Sequence, residues 1–327
     1  MTVSITAALD CLSPANPVCL VGAPGIGKTA MTEAWAASRG YDLIVDHPVI
    51  AQSVDYRGLP AVVNGAAQWL PLGTLRRLTE PSDRGAVLLL DDVGQAPAPV
   101  QAALMQLVWA RRLGDAALRD DVLIVLATNR VTDRSGVRPL LAALVGRVQI
   151  CEVAADPDAW RQWALVQQDI HPAVAAYPGF RPDCYAATVP DAPMAAYCTP
   201  RSLAQAGRLM QRGVADISLL AGWIGEAAAS DLSAYAASAA KLPSLKEILS
   251  APTKIVRCYA GKPDMLHAIT VIAARAVEQH TVDVLVLASA LGGGWEIALV
   301  SGAADVWPAL KQTTEFQRWA VDHRELL

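Results

Sequence analysis

Eight consecutive residues, Gly22, Ala23, Pro24, Gly25, Ile26, Gly27, Lys28 and Thr29, match the pattern G-x-x-x-x-G-K-[ST] in full. Glycines at the first and sixth positions let the backbone turn tightly and aim successive N–H groups at anionic oxygens. A helix beginning at the end of the loop would add the partial positive charge of its N-terminus. Lys28 would reach the outer phosphates of a bound polyphosphate, and the Thr29 hydroxyl would ligate Mg²⁺. The chemistry these residues suit is capture of a polyphosphate.

A second chemical feature follows about sixty residues later. The run VLLLDD, residues 87–92, is an apolar strand that ends in two acids. Mg²⁺ takes oxygen ligands and is commonly held by a carboxylate together with phosphates. Asp91 suits that role, directly or through water. Asp92 is placed where a second carboxylate would polarise an attacking water. The plainer reading of a lone Asp-Asp is a solvated strand end; a phosphate loop in the same sheet favours the chemical one.

Other constellations are weak. The five histidines, His47, His171, His267, His280 and His323, are dispersed, and neither H-E-x-x-H nor G-x-S-x-G occurs. The six cysteines include no CxxC pair and no zinc-type spacing, so they read as ordinary reduced thiols. The nine tryptophans read as anchors for packing rather than a cofactor box, with Trp160 and Trp163 on one face of a helix.

These residues need elements to position them. Short apolar runs at Val18–Val21, Leu43–Val45, Val87–Leu90 and Val122–Ala127 alternate with helical stretches at Thr29–Ser38 and Pro99–Arg111. Continuously apolar strands separated by helices imply a parallel sheet covered on both faces. After about residue 156 the pattern turns helical, over Asp158–Gln168, Arg201–Gly213, Ala215–Ala228, Asp231–Ala240 and Pro263–Glu278, while Val282–Leu287 is ambiguous between strand and helix. The expected organisation is an α/β core over 1–155 and a helical unit over 156–327.

With 53% apolar residues, the chain has ample material for packed cores. Its net charge is −4, so no strong basic field advertises affinity for nucleic acid. The N-terminus, MTVSITAALDCLS, has no basic region and carries Asp10, so it does not read as a signal peptide, and apolar stretches such as Val284–Trp295 are interrupted by glycines. The expectation is a soluble cytoplasmic protein with no membrane span.

Taken together, these features resemble the AAA+ ATPases, and more narrowly their MoxR-like group. The fold implied is α/β, a P-loop AAA+ core with a parallel sheet sandwiched by helices, followed by an all-α lid domain. Residues 22–29 would be the Walker A loop binding ATP, and Asp91-Asp92 the Walker B end of its strand. The group usually has Asp-Glu there, so the shorter Asp92 bears on the rate of hydrolysis. VLIVLATNR places Asn129 where the family has its sensor 1 residue, which orients the lytic water; the alternative is a capping residue. PLLAALVGRVQI resembles the segment carrying the arginine finger, which implies Arg147, with Val148 in place of the usual Phe. Arg130, Arg134 and Arg138 are rival candidates. TPRS, residues 199–202, resembles the sensor 2 motif, with Arg201 reaching the phosphates. The resemblance covers roughly residues 1–260.

Residues 56–71, YRGLPAVVNGAAQWLP, carry Asn64-Gly65 between apolar flanks, a strong hairpin signal. MoxR-like proteins have a helix-2 insert at this place, and one branch carries the D-x-R-G-L-P run seen here at 55–60. A second short hairpin is expected near 113–121. Arg57, Val62, Val63, Asn64, Gly65, Gln68 and Trp69 are the candidate client contacts; the alternative is a surface hairpin packed on its own core.

The resemblance implies an ATP-hydrolysing remodelling or chaperone-type motor. It would use Mg²⁺, assemble as a homo-oligomeric, hexameric ring and act on a protein client, with a von Willebrand factor A-domain protein as partner. Two alternatives stand beside it. One is a nucleic-acid motor, which the acidic balance disfavours. The other is a nucleotide-switched scaffold with very slow hydrolysis.

Overall fold

The computed structural model describes residues 2–133, 136–185, 190 and 194–325. The chain divides into two compact units, Met1–Ala155 and Asp156–Leu327.

The first unit is built on five parallel strands. They are β1 (Val18–Val21), β2 (Asp42–Asp46), β5 (Ala86–Leu90), β8 (Val122–Thr128) and β9 (Gln149–Glu152), arranged β2-β5-β8-β1-β9. Strands β5 and β8 are buried at every position. Their side chains alternate between two apolar layers. Leu88, Leu90, Ile124 and Leu126 pack with the helix Ala98–Trp109 on one face. Val87, Leu89, Leu123 and Val125 pack with Trp35 and Ala36 of the helix Lys28–Ser38 on the other. Burial on both sides explains why these strands are unbroken apolar runs. Strand β9, by contrast, has only Cys151 buried. Its polar sequence, QICE, lacks the periodic signal that marks the other four strands.

Two antiparallel hairpins interrupt this frame. The first pairs β3 (Leu59–Val63) with β4 (Ala66–Leu70), Leu59 opposite Leu70. Its two-residue turn is Asn64-Gly65, with φ of 52° and 78°, the left-handed pair that a tight hairpin turn requires. This hairpin sits inside the β2-to-β5 crossover, between the short helix Ser53–Arg57 and the 3-10 segment Gly73–Leu78. The second is smaller, pairing β6 (Arg112–Leu113) with β7 (Ala116–Ala117). Pairing ends at Ala117 because Arg119 is drawn away, its guanidinium donating to the carbonyls of Arg77, Glu80 and Arg84.

The second unit, as described, is helical around one apolar core. Asp156, Thr199, Asp216, Ser244 and Thr313 cap their helices with side-chain oxygens. The stretch expected as one helix over Ala215–Ala228 is instead two, Ile217–Ile224 and Glu226–Ala239. They break at Gly225, whose φ of 81° ends the first helix and starts the next. Residues 282–287 lie within the helix Thr281–Leu291. The helix Pro263–Arg275 packs against Pro172–Phe180 and Gly293–Val306. The C-terminal third therefore contributes to the core of this unit rather than trailing from it.

Candidate nucleotide site

The strand order decides which side chains meet. Strand β8 lies between β1 and β5, pairing Val21 with Thr128 on one side and Leu90 with Leu126 on the other. The carboxyl ends of these three strands deliver Gly22, Asp91 and Asn129 to one edge of the sheet. Open α/β sheets bind ligands at this edge.

The loop 22–29 leaves β1 and enters the helix Lys28–Ser38. Gly25 and Gly27 have φ of 79° and 101°, a region closed to most side chains. Gly22 is required for a different reason: a Cβ there would stand 2.5 Å from the Val153 carbonyl. The helix N-cap is Gly27, which offers no side chain to its first-turn amides. Such an end favours an anion.

Lys28 is buried, with 7% of its surface exposed. Its ammonium donates to the carbonyls of Gly22 (2.8 Å) and Ala23 (3.0 Å) and to Oδ1 of Asn129 (2.8 Å). The Thr29 hydroxyl donates to Oδ2 of Asp91 at 2.6 Å. The other Asp91 oxygen accepts from the Asp92 amide at 3.0 Å. Four side chains from three sequence segments thus form two hydrogen-bonded pairs, Lys28–Asn129 and Thr29–Asp91, which start from adjacent residues of the loop.

Asp92 occupies the left-handed region, with φ 56° and ψ 32°. Aspartate is one of few residues that visit it readily. The turn is fixed by Gly94, where a Cβ would lie 2.2 Å from Oγ1 of Thr128 and 2.8 Å from Cγ1 of Val137. The close approach of Gly94 to the end of β8 locks the position of Asp92 relative to Asn129. Nothing in the acid pair itself reveals this glycine's part; its signal is the short VGQ segment before a proline-started helix.

Hard oxygen donors converge at Thr29 Oγ1 and Asp91, which fits Mg²⁺, a cation that takes few protein ligands and fills the rest from phosphate and water. Among the described residues, no group of three or more His, Cys, Asp or Glu is placed to hold a metal. The six cysteines are free thiols, and burial pushes the Cys19 thiol up to about 12, where it is inert.

Arg147 lies elsewhere on the first unit. Its guanidinium donates to the Ala143 carbonyl and stands 5.7 Å from the centre of the Trp109 ring. Of the rival arginines, Arg130 is engaged by the Asp133 carboxylate, at 3.1 Å in their ion pair. Arg138 is exposed, and Arg134 lies outside the described residues. Arg201 is exposed at the start of the helix Pro200–Gln211 in the second unit. Thr199 and Ser202 cap that helix reciprocally, and the Trp160 indole donates to the Pro200 carbonyl at 3.0 Å.

At the first hairpin, Asn64 and Gly65 form the exposed tip and Val62 is 78% exposed. Arg57 and Trp69 do not extend freely, because the guanidinium lies 4.3 Å over the indole ring. Asp115 of the second hairpin clamps the same residue, accepting from the Trp69 amide at 2.7 Å and donating its own amide to the Trp69 carbonyl at 3.0 Å. Gly114 makes this approach possible, since a Cβ there would meet the Trp69 carbonyl at 2.5 Å. The two hairpins are therefore one joined unit.

The loop and strand order define the first unit as a P-loop α/β core. No family model matches the sequence, and no curated protein matches it. Solved structures of Thermotoga maritima RuvB are among those to which the chain is similar. One described as the RuvB Holliday junction branch migration motor is 14% identical, with 91% of this chain and 79% of that chain covered at a TM-score of 0.37. Two mutant forms of the same protein are each 16% identical, covering 94% and 91% of this chain and 80% and 79% of theirs, at TM-scores of 0.40 and 0.39.

Proposed function

We propose that this chain is an AAA+ ATPase that works as an oligomeric ring and remodels a protein client, in the manner of the MoxR-like group. The observation that carries the reading is the two adjacent pairs, Lys28–Asn129 and Thr29–Asp91, at the carboxyl edge of the sheet. In this reading the backbone of 22–29 cradles the phosphates, and Lys28 turns from the loop carbonyls toward the β- and γ-phosphate oxygens. Thr29 and Asp91 hold Mg²⁺, which supplies positive charge to the phosphate oxygens. Asp92 accepts a proton from the attacking water, and Asn129 orients that water. Arg147, from the adjacent subunit, stabilises the charge that develops on the γ-phosphate. Arg201 takes the sensor 2 role.

A protein client is favoured over nucleic acid by the net charge of −4 and by a hairpin tip without basic residues. The joined hairpins, with Val62 and the Asn64-Gly65 tip outermost, form the client-facing element.

The test is complementation between subunits. Lys28→Ala chains should bind nucleotide roughly ten- to a hundredfold more weakly but retain Arg147. Arg147→Ala chains should bind nucleotide but lack the finger. Each alone should keep only a small residual turnover, and mixing them should raise it. Absence of recovery, in a mixture shown to co-assemble, would remove the shared site from this account.

A further inference from the structure

Trp109 is a large apolar side chain left 63% exposed at the last position of the helix Ala98–Trp109. The same helix buries Leu104, Leu107 and Val108, so its apolar face is already satisfied without the indole. The indole meets Arg147, whose guanidinium carbon stands 5.7 Å from the ring centre. That distance lies within reach of a cation–π attraction.

The platform is rigid. Immediately after the helix, Arg111 takes a left-handed conformation with φ 50°. Its guanidinium donates to three backbone carbonyls, of Pro14 at 3.0 Å, Arg119 at 2.7 Å and Val122 at 3.0 Å. Burial of Arg111 lowers its pKa, yet from a starting value so high that it stays charged. The helix end that carries Trp109 is thereby tied to the loop before β1 and to the start of β8. Arg147 also donates to the Ala143 carbonyl. An arginine side chain has many rotamers, and contacts with both a ring and a carbonyl restrict them.

We infer that Trp109 is the positioning residue for Arg147, limiting its guanidinium to a few orientations on the surface for delivery into the adjacent subunit's phosphate site. This inference rests on the finger role proposed above for Arg147. The indole does not touch the phosphates; it acts through the arginine. An aromatic face is needed, rather than an acid, because a carboxylate would neutralise the charge that the finger must carry.

The test compares Trp109→Ala, Trp109→Phe, Arg147→Ala and the double variant Trp109→Ala/Arg147→Ala in steady-state ATP hydrolysis. Measurements are made at a protein concentration where specific activity has stopped rising, with light scattering to record the assembly. Trp109→Ala should lower kcat roughly two- to fivefold with KM for ATP unchanged, the range expected for an exposed cation–π contact. Trp109→Phe should recover most of the loss. The double variant should equal Arg147→Ala alone. The inference is overturned if Trp109→Ala has the wild-type kcat, if its loss multiplies that of Arg147→Ala, or if the loss follows dissociation of the assembly. Wild-type turnover in Arg147→Ala would overturn the finger role and this inference together, an outcome separable from failure at Trp109 alone.

Discussion

Arg275 offers the sharpest energetic test of how the helical unit is built. It ends the helix Pro263–Arg275, and its guanidinium donates to four backbone carbonyls: Ala164 at 2.8 Å, Leu165 at 2.9 Å, Gln167 at 2.9 Å and Ile170 at 2.8 Å. Two of these belong to the helix Pro157–Val166, whose last carbonyls have no partner within the helix. The arginine therefore caps that helix with a full positive charge at its negative end. Each hydrogen bond from a charged donor contributes about 1.5–3 kcal/mol, but four bonds from one group are far from additive. Removing the group also takes the donor from the Leu165 and Ile170 carbonyls, each costing about 1–3 kcal/mol less what water recovers, while those of Ala164 and Gln167 keep bonds from the Gln167 and Ile170 amides. Arg275→Leu should therefore destabilise the unit by about 3–5 kcal/mol, a large share of the roughly 5–15 kcal/mol that a domain has. Arg275→Lys, with three donors on a point charge, should recover less than half. Urea unfolding followed by tryptophan fluorescence reads this directly, because Trp160 and Trp163 lie on the capped helix. A loss below about 1 kcal/mol for Arg275→Leu would refute the capping argument.

Other expectations follow from the same geometry. Asp92→Asn keeps a residue suited to the left-handed turn while removing the proton acceptor, so nucleotide affinity should persist and turnover should fall roughly 10²–10⁴-fold; unchanged steady-state hydrolysis would favour the nucleotide-switched scaffold. Gly94→Ala should cost about 1–3 kcal/mol and lower turnover, read as melting temperature and ATPase rate, because its Cβ would press on Thr128 and Val137. Burial, with Arg161 nearby, holds the His267 imidazole down at about 4, edge-on to Trp295. Its folded pKa is depressed below the unfolded value near 6.5, so the unfolded chain takes up the proton first as pH falls. The helical unit should thus lose stability progressively between about pH 6.5 and 4, by at most about 3 kcal/mol, and His267→Gln should flatten that dependence in chemical denaturation.

The parts of this structure that were legible in the sequence are those whose signals are local. Residues 22–29 announce themselves because the backbone of a phosphate loop demands particular residues at consecutive positions. Strands β5 and β8 announce themselves because burial on both faces excludes polar residues. The Asn64-Gly65 turn is legible because few residues tolerate two successive left-handed conformations. Strand β9 was not legible, since an edge strand with one buried side chain carries no apolar run. The break at Gly225 was hidden inside an otherwise continuous helical pattern. Arg275, Asp115 and Trp109 were invisible for a different reason. Each acts across more than thirty residues of sequence on backbone groups or on a single side chain, and no spacing rule records such contacts. Asn129 stands between the cases. Its place at a strand end could be read, but its bond to Lys28 depends on β8 lying beside β1, which is a property of sheet order.

The central claim is that a nucleoside triphosphate is bound on the loop Gly22–Thr29 with Lys28 against its phosphates. Titration calorimetry with ATP and Mg²⁺ tests it most directly, comparing the natural chain with Lys28→Ala and using melting temperature to confirm that both are folded. The account predicts one site per chain and a loss of affinity of roughly ten- to a hundredfold in the variant, the worth of a charge-assisted contact. An unchanged dissociation constant in a folded Lys28→Ala protein would contradict it.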